Sequence, residues 1–209
     1  MGDVGRYTSF LTSMVALQVP VGTQFTFKAG VDVPGNLNAC WRDALEKNNP
    51  QWAWIQGDDH TFDPDILTRL LDHHVDVVAP LVTKRKHPFT LLAFPEKKEN
   101  RYRAAQWPEV PEKGLWELKA VASAGLLLSR RAMDALGDPW FDHGPLVGTE
   151  RVGWDMYLCD QLRYHDFPVY CDPTLTLGHT SPVTFRPMRH EGTWGLAVDL
   201  GHSQILHLQ

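Results

Sequence analysis

Two acidic residues and a histidine stand side by side at Asp58, Asp59 and His60. Hard carboxylate oxygens beside an imidazole nitrogen suit a divalent cation such as Mg²⁺ or Mn²⁺. The alternative interpretation is a solvated acidic turn that binds nothing. The choice between the two depends on the elements that position this triplet.

A predicted strand precedes the triplet and a predicted helix follows it. The apolar run 52–55 has the length and composition of a buried strand. Asp63 can cap a helix that begins at Pro64 and continues over 64–71. The acids are therefore expected just beyond the carboxyl end of a strand. In an open α/β sheet, that edge is where ligands bind.

Three further segments contain residues suited to binding or chemistry. The basic run Lys84-Arg85-Lys86-His87 follows a strand and could contact a phosphate or an anionic acceptor, although a solvated turn explains each residue singly. Small residues at 121–125 would let the backbone approach a ligand closely, and tight packing would explain them equally well. Asp155 opens a predicted helix, where an acid complements the helix dipole.

Composition limits the classes of protein to consider. The 209 residues are 43% hydrophobic and carry a net charge of −5, which is typical of a globular protein and argues against one built mainly to bind the nucleic-acid backbone. No apolar run approaches the roughly 20 residues of a membrane span, and the first residues lack a signal-peptide pattern. The three cysteines, Cys40, Cys159 and Cys171, lack zinc-ligand spacing, so reduced thiols in a cytoplasmic protein are expected.

Strand and helix patterns alternate along the chain and predict the fold. Helices are predicted at 7–17, about 36–47, 64–71, 130–136 and 153–163, and strands at 24–29, 52–55, 75–80, 90–94, 115–119, 121–129, 169–173 and 175–179. This order predicts an α/β fold with an open, mostly parallel, twisted sheet flanked by helices and extended by a small antiparallel part. Residues 138–152 are predicted to form a mobile loop.

In this order, the motifs resemble those of GT-A-type glycosyltransferases, especially the small family-2-like enzymes of bacteria and phages. The triplet with Phe62, Pro64 and Leu67 is similar to the family's strand-(Asp-x-Asp)-His-x-Phe-x-Pro-x-x-Leu element. Residues 123–131 resemble its Gly-x-Gly-aliphatic-Arg-Arg segment. Gly153-Trp154-Asp155 with Cys159 is similar to the family's Gly-Glu-Asp-x-x-Phe-Cys helix start. Asp172-Pro173 followed by Gly178-His179 resembles the family's closing segment, which ends in a metal-binding histidine.

The resemblance implies a Rossmann-like GT-A catalytic domain over residues 1–183 that transfers a sugar. A nucleotide-sugar, with a UDP-sugar the first choice, would donate its sugar to the hydroxyl of a glycan, protein, lipid or modified nucleobase. Mn²⁺ or Mg²⁺ would be held by Asp59 and His179, and Asp155 would be the catalytic base of an inverting reaction. Asp58, His60, Ser123, Gly125 and Asn38 are predicted to bind the donor, and Trp154 and Arg85 to bind the acceptor.

Two positions depart from the family pattern. Gly57 stands where the family has the first acid of its motif, and Asp58 or His60 could compensate for that acid. Only Gly5-Arg6 corresponds to the apolar strand and turn that usually receive the nucleotide base, so the chain is expected to be shortened or completed by a partner. Residues 184–209 are interpreted as a tail that serves as a lid or as the arm of a homo-oligomer.

Two other functions are compatible with the same residues. A nucleotidyltransferase would present similar paired acids on a similar sheet, although the sequence has no Gly-rich triphosphate loop near its start. A non-catalytic sugar- or nucleic-acid-binding module on a decayed enzyme fold would account for Gly57. A requirement for a metal ion in nucleotide binding would distinguish an enzyme from such a module.

Overall fold

A computed structural model describes residues 4–30, 32–86, 88–99, 101–190, 193–199 and 205–208. The helices of these residues are α1 (Val4–Ala16), α2 (Val33–Asn48), α3 (Ile66–Asp72), α4 (Arg130–Leu136), α5 (Trp154–Tyr164) and a short 3₁₀ turn (Trp107–Glu109). The strands are β1 (Trp52–Ile55), β2 (His60–Thr61), β3 (Val77–Val82), β4 (Ala93–Phe94), β5 (Glu96–Lys98), β6 (Arg101–Arg103), β7 (Trp116–Leu118), β8 (Ala120–Val121), β9 (Leu126–Ser129), β10 (Leu146–Val147), β11 (Glu150–Arg151), β12 (Val169–His179), β13 (Thr184–His190), β14 (Thr193–Asp199) and β15 (Ile205–Leu208).

The central sheet has six strands in the order β1-β9-β3-β12-β2, with β7 also paired to β12. Strands β3 and β12 form its one parallel pair, whereas every other described pair in it is antiparallel. The prediction of an open, mostly parallel, Rossmann-like sheet is therefore wrong. The fold is mixed α/β with a mostly antiparallel sheet.

The prediction failed because β9 lies between β1 and β3. The leucines of β9 are buried on both faces of the sheet. A run that is apolar on both faces is typical of a parallel strand, so the sequence pattern did not show that β9 is antiparallel to its neighbours. Because β9 is antiparallel to both neighbours, β1 and β3 still run in the same direction, and β12 follows β3. The carboxyl ends of β1, β3 and β12 consequently meet at one edge of the sheet, which we call the site edge.

The sheet is covered on both faces, and residues alternate between two apolar clusters along each strand. On β9, Leu126 and Leu128 belong to the cluster covered by α2, α4 and α5, whereas Leu127 faces the cluster covered by α1 and α3. On β3, Val77 belongs to the first of these clusters and Val78 to the second. Full burial of each such side chain contributes about 1.5–3 kcal/mol, so the sheet is firmly held between its helices.

Residues 24–29 differ from their prediction, and the C-terminal segment forms strands that were not predicted. Residues 24–29 form no strand; the segment precedes α2, Lys28 Nζ lies 2.9 Å from Asp43 of that helix, and the Phe25 and Phe27 side chains are exposed. The described residues after 183 include three strands, which form the antiparallel sheet β13-β14-β15. Their role as a lid or arm stays a prediction. Within the described residues, no helix is long and apolar enough to cross a membrane.

Candidate metal centre

Backbone pairing brings the triplet and the end of β12 together. Asp59 lies in the turn after β1, and β2 then pairs antiparallel with the last residues of β12, so that His60 is directly opposite His179. The N–H of Thr180 donates to the carbonyl of Asp59 at 2.8 Å, which extends this pairing. Opposite residues of an antiparallel pair present their side chains on the same face. The two imidazole rings therefore stack, with centroids 4.4 Å apart.

Three side chains present possible metal-ligating atoms to one point at this edge. Asp59 Oδ1 is 2.9 Å from His60 Nδ1, and Asp59 Oδ2 is 3.4 Å from His179 Nε2. One ligating atom from each of the three residues lies within 4.8 Å of the others. Neighbouring ligands are about 3.0 Å apart when each is about 2.1 Å from an octahedral ion. The spacing of these atoms thus fits a divalent cation.

The tautomer of His179 favours metal binding. Its Nδ1 lies 2.9 Å from the backbone carbonyl of Thr83, and a carbonyl only accepts, so Nδ1 is the protonated nitrogen. In the neutral ring, Nε2 then carries a lone pair directed towards Asp59. A backbone carbonyl that orients an imidazole in this way is the usual support of a metal-ligating histidine. A proton or a cation must lie between Nε2 and the carboxylate, since two lone pairs repel each other.

His60 is a buried polar side chain without a hydrogen bond. Its side chain is 8% exposed, and neither ring nitrogen has a hydrogen-bond partner among the residues that the structure describes. Nδ1 is near Asp59 Oδ1 but is not aligned with it for a hydrogen bond. Leaving such a group unpaired costs about 1–3 kcal/mol. A cation bound by Nδ1 would remove that cost.

The neighbours of Asp59 keep its carboxyl group ionised. Burial raises the pKa of this carboxyl, but its close contacts with His179 and His60 hold the pKa well below its ordinary value. Asp59 is therefore a carboxylate at any physiological pH. Metal ligands must be deprotonated, so this residue is prepared for a cation.

Arg85 contacts the same carboxylate. It follows β3 at the site edge, and its guanidinium donates to Asp59 Oδ2 at 2.8 Å. This is the oxygen that also faces His179. The sequence predicted Arg85 as an acceptor-binding residue, and the structure places it beside the candidate metal ligands. His87, from the same basic run, lies outside the described residues.

The predicted base, Asp155, occupies the first turn of α5. Its Oδ1 accepts from the N–H of Met156 at 2.9 Å. Burial raises the pKa of Asp155, although hydrogen bonds from the backbone oppose this rise. A carboxylate with a raised pKa is a stronger proton acceptor, as a general base requires. The neighbouring Trp154, predicted to bind the acceptor, packs edge-on against Phe141 and is half-buried.

Asn38, predicted to bind the donor, is hydrogen-bonded elsewhere. Its Nδ2 donates to the carbonyl of Phe141 at 2.7 Å, and the N–H of Phe141 donates to its Oδ1 at 3.1 Å. The side chain is buried, so its polar groups serve to anchor the loop 137–153 to α2. A sequence pattern cannot show this contact, because 103 residues separate the partners.

The other predicted donor-binding residues lie at or near the site edge. Ser123 and Gly125 precede β9, whose first residue is paired with Ile55 at the end of β1. Gly125 has φ +69°, and a Cβ there would lie 2.7 Å from the ring of Pro80, so packing explains the glycine. Asp58 is half-buried in the same turn as Asp59 and does not join the three-residue cluster.

The comparisons with known proteins identify a similar fold. The crystal structure of A197 from STIV matches with a TM-score of 0.55 at 13% sequence identity, over 85% of this chain and 79% of that chain. A likeness at this identity shows the fold alone. No protein-family model and no curated protein sequence matches the chain.

Proposed function

We propose that this protein is a metal-dependent, inverting glycosyltransferase that moves a sugar from a nucleoside-diphosphate donor to an acceptor hydroxyl. The observation that carries the proposal is the convergence of Asp59 and His179 at the site edge, with the Nε2 atom of His179 directed at the carboxylate by the carbonyl of Thr83. The motif resemblance independently assigns the same two residues to the metal.

The chemistry of the donor explains the need for these side chains. In the reaction, the bond between the sugar carbon and the diphosphate oxygen breaks while a bond to the acceptor oxygen forms. When bound, a divalent cation supplies a Lewis acid that stabilises the negative charge on the departing diphosphate. Asp59 and His179 would hold it, and Arg85 beside them would contact the oxygens of the diphosphate.

Asp155 would take the proton that the acceptor hydroxyl loses. General-base catalysis of this kind contributes about 10²- to 10⁴-fold to a rate. The half-buried position of Asp155 at the start of α5 supports this role, because partial removal from water raises the pKa of a carboxyl.

The test begins with a panel of nucleotide-sugars, led by UDP-sugars, incubated with Mn²⁺ and a mixture of acceptors. Mass spectrometry would identify the released nucleotide and the sugar adduct. Asp155→Asn is expected to lower transfer by about 10²- to 10⁴-fold while donor binding stays within a few-fold of the parent. Asp134→Asn is the matched control, since it removes an exposed carboxylate of α4.

Each alternative function has its own outcome in this test. Transfer by Asp155→Asn at the parent rate would overturn the assignment of the base. Release of pyrophosphate from a nucleoside triphosphate, without sugar transfer, would instead identify a nucleotidyltransferase. Binding of uridine diphosphate that is unchanged by Mn²⁺ would indicate a non-catalytic binding module.

A further inference from the structure

Gly57 lies directly against two of the candidate ligands. A Cβ atom at this position would lie 3.0 Å from Asp59 Oδ1 and 3.2 Å from His60 Nδ1. Both distances are tighter than ordinary carbon contacts, so a side chain here would require the carboxylate and the imidazole to move by a few tenths of an ångström. The glycine therefore leaves room for these two ligating atoms to lie 2.9 Å apart.

The surrounding structure holds the His60 ring so that Nδ1 stays close to Asp59 Oδ1. The strand pairing of β2 with β12 fixes its backbone opposite His179, and the two rings stack at an interplanar angle of 28°. The side chain is more than nine-tenths buried, and its ring nitrogens have no hydrogen-bond partner within the described part of the chain. A polar group that is buried, oriented and unpaired next to two candidate ligands is itself suited to bind the cation.

We propose that His60 is a third protein ligand of the cation, admitted by Gly57, and that the site consequently prefers a transition-metal ion to Mg²⁺. The inference rests on the metal site of the proposed function but not on the reaction. Two imidazole nitrogens and one carboxylate form the ligand set. Imidazole suits transition metals such as Co²⁺ and Zn²⁺, whereas Mg²⁺ prefers an all-oxygen shell.

The direct test is nuclear magnetic resonance of the unmodified protein with Zn²⁺, which is diamagnetic. Long-range ¹H–¹⁵N spectra resolve the ring nitrogens of each histidine. Addition of one equivalent of Zn²⁺ is expected to shift the Nδ1 signal of His60 and the Nε2 signal of His179, while the ring signals of His73, which follows α3, stay unchanged. A shift of His179 without any shift of His60 would refute the third ligand.

Affinity measurements on variants test the preference. Calorimetry with Co²⁺ and Mg²⁺ alone is expected to give at least a tenfold preference for Co²⁺ in the parent. His60→Gln should weaken Co²⁺ binding by about tenfold or more, because even the loss of a residue that only supports a ligand costs 10- to 100-fold. Mg²⁺ binding should change less. His73→Gln is the control and should leave both affinities unaltered.

Substitution of the glycine gives a second, independent test. Gly57→Ala should weaken Co²⁺ binding in the same direction as His60→Gln, because its methyl group crowds both ligating atoms. Equal affinities for Co²⁺ and Mg²⁺ in the parent, or parent-like Co²⁺ binding by a folded His60→Gln, would overturn the proposal. Sugar transfer is not measured in these experiments, so a protein that binds Co²⁺ through His60 but transfers no sugar would refute only the proposed function.

Discussion

Arg85→Gln should make the protein bind Mn²⁺ more tightly. Arg85 and a divalent cation would compete for the same oxygen of Asp59, since the guanidinium donates to Oδ2 at 2.8 Å and His179 Nε2 lies 3.4 Å from that oxygen. Glutamine removes the competing charge. Metal binding by the parent must displace Arg85, which then becomes available to the diphosphate of a donor.

The size of the effect follows from the exposure of the pair. A hydrogen bond to a charged group contributes about 1.5–3 kcal/mol. The side chains of Arg85 and Asp59 are 30% and 19% exposed, so solvent screening lowers this to about 1–2 kcal/mol. Because about 1.4 kcal/mol corresponds to a factor of ten, the affinity for Mn²⁺ alone should rise about 5- to 30-fold.

The assay is calorimetric titration of Mn²⁺ into the parent and into Arg85→Gln at one ionic strength, first without and then with uridine diphosphate. Lys86→Gln is the matched control, because it removes an exposed positive charge from the same loop. The control should show little change. With uridine diphosphate present, the difference in Mn²⁺ affinity between Arg85→Gln and the parent should shrink or reverse, since the variant lacks the guanidinium that would contact phosphate.

Two results would refute this reasoning. Unchanged or weaker Mn²⁺ binding by Arg85→Gln would show that the guanidinium does not compete with the metal. An equal gain in Lys86→Gln would show that only the net charge of the loop matters, and not the contact with Asp59.

Two further predictions concern stability. Asn38→Ala should lower the free energy of unfolding by about 2 kcal/mol or more, measured by urea denaturation, because the buried N–H and carbonyl of Phe141 lose their partners; an unchanged midpoint would contradict this. Burial raises the pKa of Asp172, but hydrogen bonds from Thr174 and His73 hold it below the ordinary 3.8. A lowered pKa stabilises the fold above about pH 4, and this contribution is lost as the pH falls through the native pKa. The free energy of unfolding should therefore fall more steeply between pH 5 and pH 2 in the parent than in Asp172→Asn, and parallel profiles would contradict the role of the carboxylate.

Local sequence patterns predicted the elements that stand on either side of the candidate ligands. The apolar run of β1 spans residues 52–55 as predicted, and α4 spans 130–136 as predicted. Helix α5 begins at Trp154, one residue after the predicted start, and has Asp155 in its first turn as predicted. These features depend on contacts between residues close in the chain, such as the hydrogen bond from the N–H of Ala132 to Ser129 that caps α4. Such contacts are visible in the order of the residues.

Strand direction was not predictable in the same way. The residues of β9 are apolar on both faces, and burial on both faces is compatible with a parallel or an antiparallel neighbour. Asp59, Arg85 and His179 nevertheless lie at one edge of the sheet, because an antiparallel strand between β1 and β3 leaves those two strands pointing the same way.

The candidate metal centre depends on the tertiary structure. Asp59 and His179 are 120 residues apart, and only the motif resemblance connected them beforehand. The pairing of β2 with β12 places His60 opposite His179, and the carbonyl of Thr83, a group that every residue possesses, sets the tautomer. The residue types required for metal binding could be read along the chain, since they are chemical properties of single side chains. Their convergence results from strand pairing over long separations, where no local periodicity specifies the partner.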